Sequence, residues 1–128
     1  MACRFTQLVI DCHDHDLLGG FWAEVLGYQE SDRSDEPDEP YVELIGPSGA
    51  GPSLLFIRTP DEKVVKNRLH IDLNATDRGQ DAEVDRILGL GATRVDIGQG
   101  EQSWVVLADP EGNEFCILRS TVEPHQQA

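Results

Sequence analysis

Apolar and polar positions alternate from Phe5 to Cys12, with Leu8 and Ile10 on one side and Gln7, Val9 and Asp11 on the other. That two-residue period predicts a half-buried strand. The period then lengthens. Leu17, Leu18, Phe21, Trp22, Val25 and Leu26 recur at helical spacing and predict an amphipathic helix that buries this stripe. Asp14 stands where an N-cap is wanted, Asp16 adds negative charge to the first turn, and Gly27 can close the helix in the left-handed conformation. The run ESDRSDEPDEP from Glu30 to Pro40 has no apolar residue and reads as a solvated loop or hairpin connection. Strands follow at Tyr41–Ile45 and Ser53–Arg58, joined by the turn-rich GPSGAGP.

The same order then recurs. Arg68–Ala75 alternates, with Leu69, Ile71 and Leu73 opposite His70, Asp72 and Asn74. Asp77 can cap a helix whose inner side carries Val84, Ile87 and Leu88 and which ends near Gly91. Strands are expected at Thr93–Ile97, Trp104–Ala108 and Glu114–Leu118, the last two joined by the turn Asp109-Pro110-Glu111-Gly112-Asn113. Gln7 and His70 lie 63 residues apart, and Gly27 and Gly91 lie 64 apart. Strand–helix–three strands at one period is an internal duplication, and it controls the expected architecture. The prediction is an α+β fold of two tandem βαβββ modules, forming a curved mixed sheet around one cleft. Module 1 covers about residues 4–60 and module 2 about 66–120, within a single domain over 1–123; residues 121–128 form a polar tail.

Composition narrows the partners. The chain has 128 residues, with 10 basic and 24 acidic side chains and a formal charge of −14. An acidic surface suits neither nucleic acid nor an anionic membrane, and no apolar run reaches the roughly 18 residues of a spanning helix. The start at Met1 has no signal-peptide h-region, and Cys3, Cys12 and Cys116 make no spaced framework, so a reducing cytoplasm is expected. A small molecule or a protein remains as partner.

Candidate chemistry is sparse. The cluster Cys12-His13-Asp14-His15-Asp16 reads as capping and surface residues, because neighbouring side chains at a strand–helix junction diverge. Trp22 belongs to the helix stripe, whereas Trp104 can wall a cavity or stack on a planar ligand. Lys63, Lys66, Arg68 and Arg58 form the one basic concentration; Arg58 and Arg68 border the expected cleft and can hold an anionic group. His70 can serve as a general base, oriented by Asp72 if a strand bend brings them together. Cys116 reads as an inert buried thiol.

The stretches LVIDCHDHDLLGGFWAEVLGY, KNRLHIDLNATD, LGATRV and WVVLADPEGNEFCIL resemble the glyoxalase/bleomycin-resistance/extradiol-dioxygenase group, the vicinal oxygen chelate superfamily, and within it the glyoxalase-like domains. The likeness spans Phe5 to Arg119 and implies paired βαβββ modules, in agreement with the duplication. It also implies four cleft-facing positions for a divalent ion, here Gln7, Ile57, His70 and Cys116. Ile57 has no donor and Gln7 offers a neutral amide, so the chain departs from the metal pattern and no cofactor is expected; a divalent ion held by His70 and Cys116, with Gln7 or water, is the alternative. The expected function is binding of a small organic molecule by Gln7, Ile57, Arg58, His70, Asp72, Trp104 and Cys116, for sequestration, resistance or carriage. The alternative is a lyase, isomerase or dioxygenase, metal-dependent or using His70, and a third class is a structural module with a filled cleft. Kinship further implies a homodimer.

Overall fold

The repeat read from the sequence is a repeat of topology. In the computed structural model, which describes residues 2–96, 98 and 102–124, the chain divides into two units, the first ending at Asp61 and the second spanning Glu62–Pro124. The first unit runs β1 (Gln7–Cys12), α1 (His15–Leu26), β2 (Gln29–Ser34), β3 (Tyr41–Ile45) and β4 (Ser53–Arg58). The second runs β5 (Ile71–Leu73), α2 (Gln80–Gly89), β6 (Thr93–Arg94), β7 (Val105–Ala108) and β8 (Glu114–Ile117). The sheets have the orders β1-β4-β3-β2 and β5-β8-β7-β6. In each, the first strand pairs the last in parallel and the remaining pairs are antiparallel. The helix supplies the crossover that a parallel pair requires.

In the first unit the caps form as the sequence asks. Asp14 Oδ1 accepts the Leu17 N–H at 3.0 Å, and Gly27 ends α1 at φ 68°. Leu18, Phe21, Trp22 and Val25 are buried, as are Val42, Leu44, Leu54 and Phe56 of the sheet. Each such side chain contributes roughly 1.5–3 kcal/mol on leaving water. Leu17 was expected in the stripe but is 50% exposed. It lies about 100° round the helix from Leu18, at the margin of the buried face. Leu26 is half-buried.

The acidic run corrects a second expectation, since its first half is strand β2 rather than loop. β2 pairs with β3, with a register shift between Glu30 and Asp32. It lies at the edge of the sheet, exposed along all but Ser34, where a charged strand is tolerated and discourages edge-to-edge association. Charge cancellation helps: Arg33 contacts Glu30 at 2.9 Å, Asp16 at 2.8 Å and Asp35 at 2.9 Å.

The second unit has shorter elements than the pattern predicts. Of Arg68–Ala75 only Ile71–Leu73 is strand, and Leu69 is exposed. Asp77 does not cap α2; Gly79 is the N-cap, with no side-chain bond, and Asp77 instead pairs with Arg78 at 3.0 Å. Val84 and Ile87 are buried as expected, while Leu88 is half-buried. The strand expected at Thr93–Ile97 stops at Arg94, and Ile97 lies outside the described residues. Trp104 and Leu118 fall just outside β7 and β8. In the turn before β8, Asp109 Oδ1 accepts the backbone N–H of Glu111 at 2.9 Å and of Asn113 at 3.0 Å, while Gly112 supplies φ 89°.

Candidate functional site

Register decides which side chains share a face. In the first sheet Gln7 pairs Ser53, Asp11 pairs Ile57, Tyr41 pairs Ile57 and Glu43 pairs Leu55. Gln7, Val9, Asp11, Tyr41, Glu43, Ser53, Leu55 and Ile57 therefore alternate away from α1 and the buried residues Val42, Leu44, Leu54 and Phe56. On this open face Gln7 Nε2 donates to Glu43 Oε2 and lies 3.2 Å from Ser53 Oγ. Ser31 donates to Glu43 Oε1 at 2.9 Å. Ser31 reaches that carboxylate because the β2 bulge leaves it out of the ladder. The result is an acid with three polar neighbours beside an apolar strip of Val9, Leu55 and Ile57.

Gln7 and Ile57 thus share one face, as the alternation indicates. Arg58 does not join them: it alternates with Leu54 and Phe56 onto the opposite side and is exposed at the strand end. Glu43, Ser53 and Ser31 were missed. Glu43 was legible in YVELI, where one acid alternates with Val42 and Leu44; Ser31 was not, because it depends on a bulge.

In the second unit Asp72 pairs Cys116, and Cys116 pairs Val106. Cys116 is 6% exposed. Burial pushes its thiol up, and the charge and hydrogen bond of Asp72 push it the same way. The thiol therefore stays protonated at neutral pH. His70 is exposed, precedes β5, and its Nε2 accepts from Lys66 Nζ at 3.1 Å. The pairing of His70 with Asp72 anticipated for a general base is replaced by these two separate contacts. Arg68 is exposed, and Trp104 is 36% exposed ahead of β7.

One buried carboxylate anchors the segment that carries His70. Glu114 is 6% exposed; Lys63 Nζ lies 2.9 Å from its Oε2, and Oε1 accepts the Asn67 N–H at 3.1 Å. Burial raises the Glu114 carboxyl, but the hydrogen bonds and charge of Lys63 and the Asn67 and own-backbone N–H bonds outweigh it, leaving it below the usual range.

Two βαβββ units of one topology follow one another along the chain, an α+β architecture of repeated modules. Residues 7–118 match the sequence profile of the glyoxalase-like domain, and the chain belongs to that family. The fold is shared with fosfomycin resistance protein FosX from Mesorhizobium loti (TM-score 0.72, 14% identity, 95% of each chain covered). It is shared with a glutamate-to-glutamine variant of FosX from Listeria monocytogenes, complexed with Mn(II) and 1S,2S-dihydroxypropylphosphonic acid (TM-score 0.72, 15% identity, 95% of this chain and 96% of that one). A glyoxalase/bleomycin resistance protein/dioxygenase family enzyme from Burkholderia phytofirmans PsJN is similar too (TM-score 0.67, 21% identity, 90% of this chain and 97% of that one). At these identities the likeness establishes the fold. No curated protein sequence matches the chain significantly. Among the described residues no helix is long and apolar enough to cross a membrane.

The Mn(II) of the Listeria protein raises the question of fit. Ile57 supplies no donor atom, and Gln7 offers only a neutral amide oxygen, its Nε2 donating to Glu43. Glu43 itself already accepts from Gln7 and Ser31. The His70 Nε2 faces an ammonium, and Cys116 is held as a thiol. A divalent ion needs strong, deprotonated ligands, and of the positions the resemblance assigns to it Ile57 and Gln7 of the first unit supply none.

Proposed function

We propose that the chain binds a small organic molecule on the open face of the first unit, without a metal at the family positions, in a sequestration, resistance or carrier role. The observation that carries this reading is the composition of that face: Val9, Leu55 and Ile57 form an apolar strip between Asp11 at the strand end and the hydrogen-bonded carboxylate of Glu43. Ligand sites commonly pair an apolar body with a few placed polar groups. An acid as anchor, on a chain of charge −14, selects a neutral or cationic ligand with a hydrogen-bond donor. Within the second unit, His70, Asp72, Trp104 and Cys116 are proposed as that unit's own ligand contacts. The reading includes a homodimer, on family likeness, and a cytoplasmic setting, which three cysteines in the thiol form, Cys3, Cys12 and Cys116, suit.

The rival reading is a metal-independent enzyme with Glu43 or His70 as proton acceptor, favoured by the presence of a carboxylate on the ligand face. Titration of neutral, cationic and phosphonate compounds in chelator separates them. A neutral or cationic compound should bind unchanged in structure, and Glu43→Gln should weaken it by roughly tenfold or more, the worth of a hydrogen bond to a charged group. Conversion of the bound compound that falls with Glu43→Gln or His70→Ala establishes the enzyme. Flat titrations across the panel defeat both.

A further inference from the structure

The side of the first sheet that faces α1 carries a second polar cluster, remote in character from the family ion positions. A cavity of about 150 Å³ is lined by Gly19, Gly20, Ala23, Val42 and Leu44, with His15, Asp16, Glu30 and Arg33 also on its wall. The surface reading of the Cys12–Asp16 stretch fails at two residues: Cys12 is 2% exposed and His15 8%. The His15 Nε2 lies 3.3 Å from Asp35 Oδ1, while its Nδ1, also buried, has no hydrogen-bond partner among the described residues. One ring nitrogen of His15 and one oxygen each of Asp16 and Asp35 lie within 4.8 Å of one another. Asp35 comes from the acidic run, which is why neighbouring residues alone gave no hint of convergence.

Arg33 occupies the same neighbourhood. It donates to Asp16 at 2.8 Å and Asp35 at 2.9 Å, and it holds Glu30 through two further bonds, at 2.9 and 3.1 Å. One guanidinium against three carboxylates leaves two negative charges when His15 is neutral. Because Arg33 has a bidentate hold on Glu30, it can release Asp16 and Asp35 without losing its own partner.

We propose that His15, Asp16 and Asp35 form a binding site for one divalent transition-metal ion, with Arg33 as the built-in cation that the ion displaces. An imidazole with two carboxylates suits zinc, cobalt or manganese better than a hard ion that takes oxygen alone. Bound there, the ion ties the start of α1 to the chain beyond β2. It lies on the opposite side of the sheet from Glu43, so this proposal and the ligand reading stand or fall separately.

The test is titration of the full chain, stripped of metal, with Co²⁺ followed by visible absorption and calorimetry, in millimolar Mg²⁺. One ion per chain should bind, with paramagnetic broadening of the His15 imidazole in NMR spectra. Asp35→Asn, at an exposed position, should weaken the ion by at least about tenfold, as loss of a ligand or of a ligand's carboxylate partner does. Arg33→Gln should tighten it by roughly tenfold, the effect of removing a unit charge about 6 Å from a divalent ion in water-like surroundings. Absence of binding in the wild type, including the case where Arg33→Gln alone binds, overturns the proposal. So does an ion that Mg²⁺ displaces, that leaves His15 unbroadened, or that ignores Asp35→Asn.

Discussion

Gly19 and Gly20 are neighbours inside α1, and the same substitution should act on them with opposite sign. A Cβ at Gly19 meets Val42 Cγ1 at 2.6 Å, with Phe56 Cδ2 at 4.0 Å behind it; at Gly20 nothing lies within 4 Å. Alanine is worth about 0.8–1.0 kcal/mol over glycine in a helix interior, and both variants gain it. At Gly20 that gain stands alone, so Gly20→Ala should be more stable by about 0.5–1 kcal/mol. At Gly19 the buried, β-branched Val42 must move, and overpacking of this kind costs roughly 1–3 kcal/mol. Gly19→Ala should therefore be less stable than the parent by about 0–2 kcal/mol. The gap between the two variants, roughly 1–3 kcal/mol, is free of the helix term because propensity cancels. Urea midpoints at constant slope measure it, and each kcal/mol moves the melting temperature by roughly 2–8 °C. Adding Val42→Ala to Gly19→Ala should recover part of the overpacking through a coupling between the two sites. Equal stability of the two alanine variants would refute the close approach of α1 to β3.

Three further outcomes follow from named contacts. Asp14→Ala removes the cap on Leu17 N–H and should cost about 0.5–2 kcal/mol of stability, read from the same denaturation curves. Because Glu114 ionises more readily in the fold than at the ordinary value of 4.5, its contribution is complete above about pH 4.5 and is lost as pH falls through the depressed folded value. Glu114→Gln should accordingly lower stability at neutral pH and flatten the acid limb of the stability–pH curve; an unchanged limb contradicts the Lys63 contact. Thiol titration of the native protein should show Cys3 reacting fast, with Cys12 and Cys116 slow until denaturant is added. Rapid modification of Cys116 would mean that burial and Asp72 do not hold it as a thiol.

The architecture was legible because duplication and periodicity are properties of the chain itself. The caps Asp14 and Gly27 and the turn at Asp109 were equally local, each needing only residues within a few positions. What escaped depends on partners distant in sequence. β2 has no apolar residue, so its strand character comes from pairing with β3 and from charge balance through Arg33. Asp77 has the chemistry of a cap but is taken by Arg78. His15 looked like surface because its burial is decided by how α1 lies against the first sheet. For the candidate site, the resemblance named Gln7 and Ile57 together, and strand alternation applied to YVELI would have found Glu43. It would also have placed Arg58 on the other side.

The proposed ligand face of the first unit, with Glu43 as its anchor, is held to work without a metal. Ligand binding measured with and without chelator, in wild type, Glu43→Gln and His70→Ala, tests it most directly. The account predicts an affinity indifferent to chelator and weakened by Glu43→Gln. Binding that demands a divalent ion and disappears with His70→Ala would contradict it.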